Sequence, residues 1–288
     1  MDHGRPCLQP PCHFSLKYRF NNLPIEDWKI GDWCFPALML LARLHDGPEI
    51  FHTLQGEGVS AGLSAVFVRS SLCNLHCRWC DTDHTWNFEG TPWKHDKDAD
   101  PGYRKHRKAE VTIEVPTAEI VSRVAAYPCR RVVLTGGEPL LQQDGWLEVI
   151  AGLRAIDPSY VFEVETNGTK RPTPEFQAAV DQFNVSPKLA NSGMEERLRV
   201  APDVIAAFAT DPKAWFKFVA RDEADLVEIG AFAERFGIPA GKILVMPEGR
   251  SAAELDRHAR EIAPRCIALG WRFCDRLHVR LWGDRRGV

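Results

Sequence analysis

A chain of 288 residues, 44% hydrophobic and 26% charged, has the composition of an ordinary globular protein, and an α/β barrel reaches that length as one domain. A formal net charge of −3 excludes a general polyanion binder, so nucleic acid is not an expected partner. No apolar run is long enough to span a bilayer, and the stretch from Trp33 to Leu44 is too short and lacks a basic start, which argues against membrane insertion and secretion and for the cytoplasm.

Residues 1–45 hold Pro6, Pro10, Pro11 and Pro24 and show little periodicity. They are expected to be a poorly ordered N-terminal extension or a mis-assigned start, with Met39 as an alternative first residue and the folded domain over 46–288. Short, mostly unbroken apolar runs predict strands at 65–69, 131–135, 160–165, 183–186, 215–219, 242–246 and 277–281. Periods near 3.6 predict helices at 117–126, 146–156, 175–182, 202–209, 223–235 and 252–262, with Asp222 and Ser251 as N-caps. Strands and helices in alternation imply right-handed crossovers and a mostly parallel sheet.

In such sheets the loops after the strand C-termini build the site. The unusual segments of this chain fall there. Cys73-Asn-Leu-His-Cys77-Arg-Trp-Cys80 follows the first predicted strand, Thr135-Gly-Gly-Glu-Pro139 the second, and Glu165-Thr-Asn-Gly168 ends the third. Ser186-Pro-Lys188 ends the fourth, and Met246-Pro-Glu-Gly249 follows a later one. A mixed-charge insertion, residues 89–110, reads as a solvated excursion, with a lid as the functional alternative.

The chain has nine cysteines. In a chain of this length without a signal sequence they read as metal ligands or buried thiols rather than disulfides. Cys129, Cys266 and Cys274 sit among apolar or mixed neighbours as packing residues, and Cys7, Cys12 and Cys34 lie in the N-terminal segment. Only Cys73, Cys77 and Cys80 cluster, at C-x3-C-x2-C. A structural zinc needs four protein ligands, and His76 or His84 would complete a Cys3His set. A four-iron cluster on three cysteines leaves one iron open to a substrate or cofactor.

The cysteine loop, with Trp79 before its third cysteine, and the Thr-Gly-Gly-Glu-Pro segment together resemble the two motifs of the radical S-adenosylmethionine superfamily. Within it, Glu49-Ile-Phe-His-Thr-Leu-Gln-Gly-Glu-Gly58, Val66-Phe-Val-Arg69, Cys77-Arg-Trp-Cys-Asp-Thr82 and the closing Leu277-His-Val-Arg-Leu-Trp-Gly-Asp-Arg-Arg-Gly-Val288 are similar to the 7-carboxy-7-deazaguanine synthase family. The resemblance implies a partial, open (β/α) barrel of α/β class. It implies a lyase that converts 6-carboxy-5,6,7,8-tetrahydropterin to 7-carboxy-7-deazaguanine with loss of ammonia, on the way to queuosine and related deazapurines. It also implies a [4Fe–4S] cluster, S-adenosylmethionine and Mg2+ as cofactors, a flavodoxin or ferredoxin as electron donor, and a homodimer.

Residue by residue, the resemblance gives the cluster to Cys73, Cys77 and Cys80. S-adenosylmethionine would lie against Trp79, Cys80, Asp81, Gly137, Ser186, Pro187, Lys188, Met246, Pro247 and Glu248. The pterin would meet Leu54, Gln55, Gly56, Glu57, Arg69 and Thr135, with the carboxylate of Val288 closing over it. Thr82 would contribute a hydroxyl to Mg2+, and Glu165 would act as base or hydrogen-bond acceptor near the reacting carbon. These residue types suit such ligands chemically, since Gln55 and Glu57 pair with an amide and amidine edge and Arg69 offers a fork to a carboxylate. Gly137 would let the backbone approach the methionine amino group without a Cβ in the way. The family carries a histidine near its C-terminus where this chain has Trp282, whose indole is expected to stack on the pterin instead. A glycyl-radical activating enzyme, which shares the cysteine loop but not the Leu-Gln-Gly-Glu-Gly segment, is the alternative reading.

Overall fold

Side chains along the central strands alternate between two environments, and that alternation organises the computed structural model, which describes residues 37–288. The chain runs β1 (Leu38–Leu44), β2 (Gly47–Pro48), β3 (Ile50–Leu54), β4 (Ser64–Ser70), α1 (Lys108–Val111), β5 (Thr112–Pro116), α2 (Thr117–Ala125), β6 (Arg131–Gly136) and α3 (Gln143–Ile156). It continues through β7 (Val161–Thr166), α4 (Pro174–Ala179), β8 (Gln182–Val185), α5 (Glu196–Arg199), α6 (Pro202–Thr210), β9 (Ala214–Ala220) and α7 (Glu223–Phe236). It ends with β10 (Ile243–Pro247), α8 (Ala252–Leu269), β11 (Arg272–Phe273) and α9 (Leu277–Trp282).

One sheet runs β11-β10-β9-β8-β7-β6-β4-β1-β2, with β3 added to β4 and β5 to β1. Neighbours from β4 through β11 are parallel, whereas β1, β2, β3 and β5 pair antiparallel. The sheet stays open, because β11 pairs with β10 alone. This is the partial barrel that the resemblance implies.

Outward-facing Val66, Val68, Val132, Leu134, Phe162, Val164, Phe216 and Phe218 join one apolar core with the helices. Trp146 of α3 is fully buried there, its indole N–H donating to the Pro139 carbonyl at 3.1 Å. The intervening positions face the barrel lumen and include Arg69, Thr135, Glu163, Glu165, Asn184 and Lys217 beside apolar residues such as Phe67 and Met246. Apolar runs conceal this second face, because a strand such as Ala214–Ala220 carries a single charge among six apolar residues. Helix starts follow capping chemistry: Asp222 accepts from the Asp225 N–H, and Ser251 and Glu254 form a reciprocal capping box.

Three expectations are corrected. Residues 277–281 form a turn and a half of helix, not a strand; only Val279 is buried in α9, and the position beside β10 is taken by β11. The loosely ordered extension expected over 1–45 lies largely outside the described residues, but Leu38–Leu44 is an ordered strand, in register with β5 from Leu38↔Pro116 to Ala42↔Thr112. The helix expected to reach 182 stops at Ala179, since Gln182 opens β8. No helix among the described residues is long and apolar enough to cross a membrane.

Candidate functional site

The loop after β4 brings Cys73, Cys77 and Cys80 to one cavity, where they pack around Leu75 and Met194. Its base is clamped by the end of β6. The Gly137 N–H donates to the Ser70 carbonyl at 3.2 Å and the Glu138 N–H to the Leu72 carbonyl at 2.9 Å. A Cβ on Gly137 would overlap the Leu72 carbonyl and sit 2.9 Å from the Cys73 Cβ. Glycine is therefore required here for the close approach of two loops, a constraint separate from the approach of a ligand. Asn167, from the loop after β7, donates to Asn74 at 3.0 Å, and Glu138, fully buried, accepts from Thr166 and from the Asn167 N–H, each at 2.8 Å. The two glycine-containing motifs thus brace the cysteine loop as much as they face the cavity.

Burial pushes all three thiols upward, Cys77 to about 12. Each histidine proposed to complete a zinc set has a contact of its own. His84 spends Nε2 on Glu49 at 3.2 Å, and His76 stacks on Trp93 with ring centroids 3.8 Å apart. Cys274 accepts from the Gly58 N–H instead of lining the cavity. Three sulfurs facing one cavity suit a cluster with an open iron, which takes three protein ligands, better than a closed zinc site, which takes four.

From the lumen floor an ion chain crosses the cavity. Arg131 pairs with Glu163, which also accepts from Gln182 at 3.2 Å and Asn184 at 3.3 Å. Glu165 accepts from Asn184 at 2.9 Å, Gln55 at 3.3 Å and Lys217 at 2.7 Å. Lys217 reaches Glu57 at 2.6 Å, Glu57 accepts from Arg276 at 3.0 Å, and Arg276 pairs with Asp81 beside the third cysteine. Burial opposes ionisation of Glu57, but Lys217, Arg276 and His278 outweigh it and hold its carboxyl well below the usual range. Asp81 is likewise lowered, to about 2, because Arg276 outweighs its burial. Glu165 goes the other way: burial, with Glu57 and Glu163 nearby, raises it despite Lys217. Neighbouring carboxylates with divided affinities for a proton are the arrangement from which acid–base roles arise.

Arg69, on β4, gives Nε to the buried Glu49 at 2.9 Å. Glu49 also takes His84 and Arg286; burial opposes its ionisation, but Arg69, the hydrogen bond from His84 and Arg286 outweigh it. The guanidinium is thereby oriented along one edge, with its other edge available to a ligand carboxylate. On the cysteine side, Trp79 donates to Asn191 and lies under Lys188, whose Nζ is 5.6 Å from the ring centroid.

Nearly all the residues named from sequence line this cavity: Leu54, Gln55, Gly56, Glu57, Arg69, Thr135, Glu165 and Val288, the cysteines with Trp79, Asp81 and Thr82, and Gly137, Ser186, Lys188, Met246 and Glu248. Pro187 and Pro247 do not reach it. Neither does Trp282; the histidine that α9 brings to the cavity is His278, one turn earlier, which packs against Gly56 and approaches Glu57 to 3.9 Å. The expectation of an indole replacing a histidine is corrected on that ground. Lys217, Arg276 and Glu49 receive no role from the sequence. Lys217 has a signal there, a lone cation in an apolar strand; Arg276 in a basic tail has none.

Residues 89–110 are mostly exposed, as expected of a solvated excursion, but they are tied to the protein at several points. His95 is buried, accepts the Lys97 N–H on Nδ1, and so donates from Nε2 to the Cys80 carbonyl at 2.8 Å. Arg250 donates to the same carbonyl at 2.6 Å. Buried Asp83 takes Tyr103 at 2.5 Å, His106 at 3.0 Å and Lys97 at 3.5 Å. The insertion is fastened to the outside of the cysteine loop.

A family model described as the radical SAM superfamily matches residues 67–200. The 7-carboxy-7-deazaguanine synthase of Pyrobaculum aerophilum is 38% identical over 241 residues, covering 83% of this chain and 95% of that protein. Those of Halobacterium salinarum and Rhodopirellula baltica are 35% and 32% identical, each across 83% of this chain, and 93% and 87% of their own lengths. The crystal structure of QueE from Escherichia coli superposes with a TM-score of 0.58 at 24% identity, over 84% of this chain and 95% of that one, a likeness of fold.

Proposed function

The chain belongs to the 7-carboxy-7-deazaguanine synthase family of radical S-adenosylmethionine enzymes, and we propose that Cys73, Cys77 and Cys80 hold its [4Fe–4S] cluster at the cavity into which Glu57, Glu165 and Arg69 receive the pterin. It is a lyase that converts 6-carboxy-5,6,7,8-tetrahydropterin to 7-carboxy-7-deazaguanine with release of ammonia. The observation that carries the residue assignment is the convergence of the three sulfurs and the lumen carboxylates on one cavity.

When bound, the reduced cluster supplies the electron that opens the sulfonium of S-adenosylmethionine. The protein's part is to bind, orient and exclude. Arg69, steadied by Glu49, takes the pterin carboxylate in a fork. Gln55 and Glu57 meet the amide and amidine edge, which requires Glu57 to share its carboxylate between Lys217, Arg276 and the ligand. Glu165, whose raised proton affinity suits a group that exchanges a proton, serves as base or acceptor at the reacting carbon. Asp81, Gly137, Ser186, Lys188, Met246 and Glu248 border the S-adenosylmethionine, and Trp79 gives it an aromatic wall. His278 and the tail through Val288 cover the pterin; a protein substrate, as a glycyl-radical activating enzyme requires, would have to displace that tail.

Mg2+ takes oxygen ligands and retains water. Thr82 offers one hydroxyl at the cavity, while neighbouring Asp81 is spent on Arg276. The metal is therefore held mainly by substrate, and Thr82→Ala is expected to weaken the Mg2+ dependence of turnover while leaving cluster content unchanged. A flavodoxin or ferredoxin is the donor, since a cluster near the low end of the range of about −700 to +450 mV needs a low-potential one-electron carrier. A homodimer is the assembly inferred from family resemblance.

The test is to incubate anaerobically reconstituted, reduced protein with the carboxytetrahydropterin and S-adenosylmethionine and identify the product by mass spectrometry. The deazaguanine carboxylate and ammonia are expected from the wild type. Glu165→Gln is expected to lose roughly 10²–10⁴-fold in kcat. Full turnover in that variant would remove Glu165 from the reaction.

A further inference from the structure

Arg276 sits at the N-cap of α9, lines the cavity and is 7% exposed. Nε donates to Glu57 at 3.0 Å, Nη1 to the Gly249 carbonyl at 2.6 Å, and Nη2 to the carboxylate of Asp81. One planar group thereby ties together the 49–58 segment, the end of the cysteine loop and the turn after β10. The next residue repeats the link, the Leu277 N–H donating to the Gly56 carbonyl at 2.9 Å, and His278 then packs on Gly56.

We propose that Arg276 is a positioning residue that couples the cofactor subsite, through Asp81, to the substrate subsite, through Glu57. The inference rests on the reading of those two subsites given above. Two carboxylates share one cation. When the pterin edge engages Glu57, the hold of Arg276 on that carboxylate relaxes or shifts, and the same guanidinium presents an altered fork to Asp81. A rigid fork transmits the change because its nitrogens move as one body. Arginine suits this place where lysine does not: a single ammonium cannot span both carboxylates and the Gly249 carbonyl in fixed geometry. The coupling is reciprocal, so each ligand must change the affinity of the other by one common factor.

The experiment measures binding, not turnover. Dissociation constants for S-adenosylmethionine are taken on anaerobically reconstituted, unreduced protein, with and without saturating carboxytetrahydropterin, and the pterin constants with and without S-adenosylmethionine. In the wild type both are expected to change by the same factor, at least about fivefold. In Arg276→Lys the factor is expected to collapse to near one while each ligand still binds alone. Asp81→Asn, which cuts the link from the cofactor end, is expected to abolish the coupling too, and far-ultraviolet dichroism and thermal unfolding identify any variant that fails to fold. Retention of the wild-type factor in both folded variants, or a factor of one in the wild type, would overturn the assignment. A wild type that binds S-adenosylmethionine but no pterin would instead bring down the substrate reading, and this inference with it.

Discussion

Lys217 is the residue on which the lumen charges balance. It is 4% exposed, and its ammonium stands between Glu57 and Glu165, with Glu163 one step further along the chain of hydrogen bonds. Burial disfavours its charge, but Glu165 and Glu57 more than compensate and raise its affinity for the proton. Removing one partner of such a set leaves buried charges uncompensated, so Lys217→Met is expected to destabilise the fold by about 3–5 kcal/mol. Adding Glu165→Gln should recover part of the loss in urea unfolding, because the two changes act on one network. Equal instability in the double and single variants would show that the pair is not coupled. Glu57 and Glu165 are legible in the sequence because each sits in a short motif beside or at the end of a strand. Lys217 is not, since a pattern of apolar runs conceals which face of a strand looks inward. Arg276 borders a segment whose pattern reads as a strand, and its role depends on a helix cap that periodicity does not reveal.

Among the elements, the insertion 89–110 carries the clearest difference between expectation and structure. Its mixed charges read as a solvated loop and most of them stay exposed, yet Lys97 and His106 turn inward onto Asp83 and His95 onto the outside of the cysteine loop. Composition cannot foretell such pairing, because it depends on which turn Tyr103 and His106 fold back against. Burial opposes ionisation of Asp83, but hydrogen bonds from His106 and Tyr103, with Lys97, hold its carboxyl well below the ordinary range. A carboxyl depressed in the folded state stabilises fully above its unfolded pKa, about 3.9, and that contribution is lost as pH falls below it. Asp83→Asn is therefore expected to lower stability at neutral pH and to flatten the fall of stability between about pH 5 and pH 2. An unchanged acid limb in thermal melts taken across that range would show that the brace contributes nothing. The parallel strands β4 and β6 to β10, by contrast, can be read to within a residue or two, since unbroken apolar runs bounded by glycine and polar motifs leave little freedom; the two-residue β11 has no such run. β1, β3 and β5 escape such a reading because antiparallel additions at the sheet's edge need partners that no local pattern names.

At the scale of the whole molecule, an open barrel with an apolar outer face and a charge-bearing lumen holds its cysteine loop between two braces. The glycine motif of β6 presses from one direction and the insertion holds it from another. The lumen charges then run unbroken from Arg131 to Asp81, and α9 with the tail covers the cavity. On the reading proposed above, the chemistry of this cavity would rest on a cluster held by Cys73, Cys77 and Cys80 that leaves one iron for S-adenosylmethionine. That arrangement is best probed by metal analysis and electron paramagnetic resonance on anaerobically reconstituted, reduced protein before and after S-adenosylmethionine is added. The expected result is about four irons per chain and a signal whose g-values shift on addition. A single zinc per chain, or an iron–sulfur signal that does not respond to S-adenosylmethionine, would contradict it.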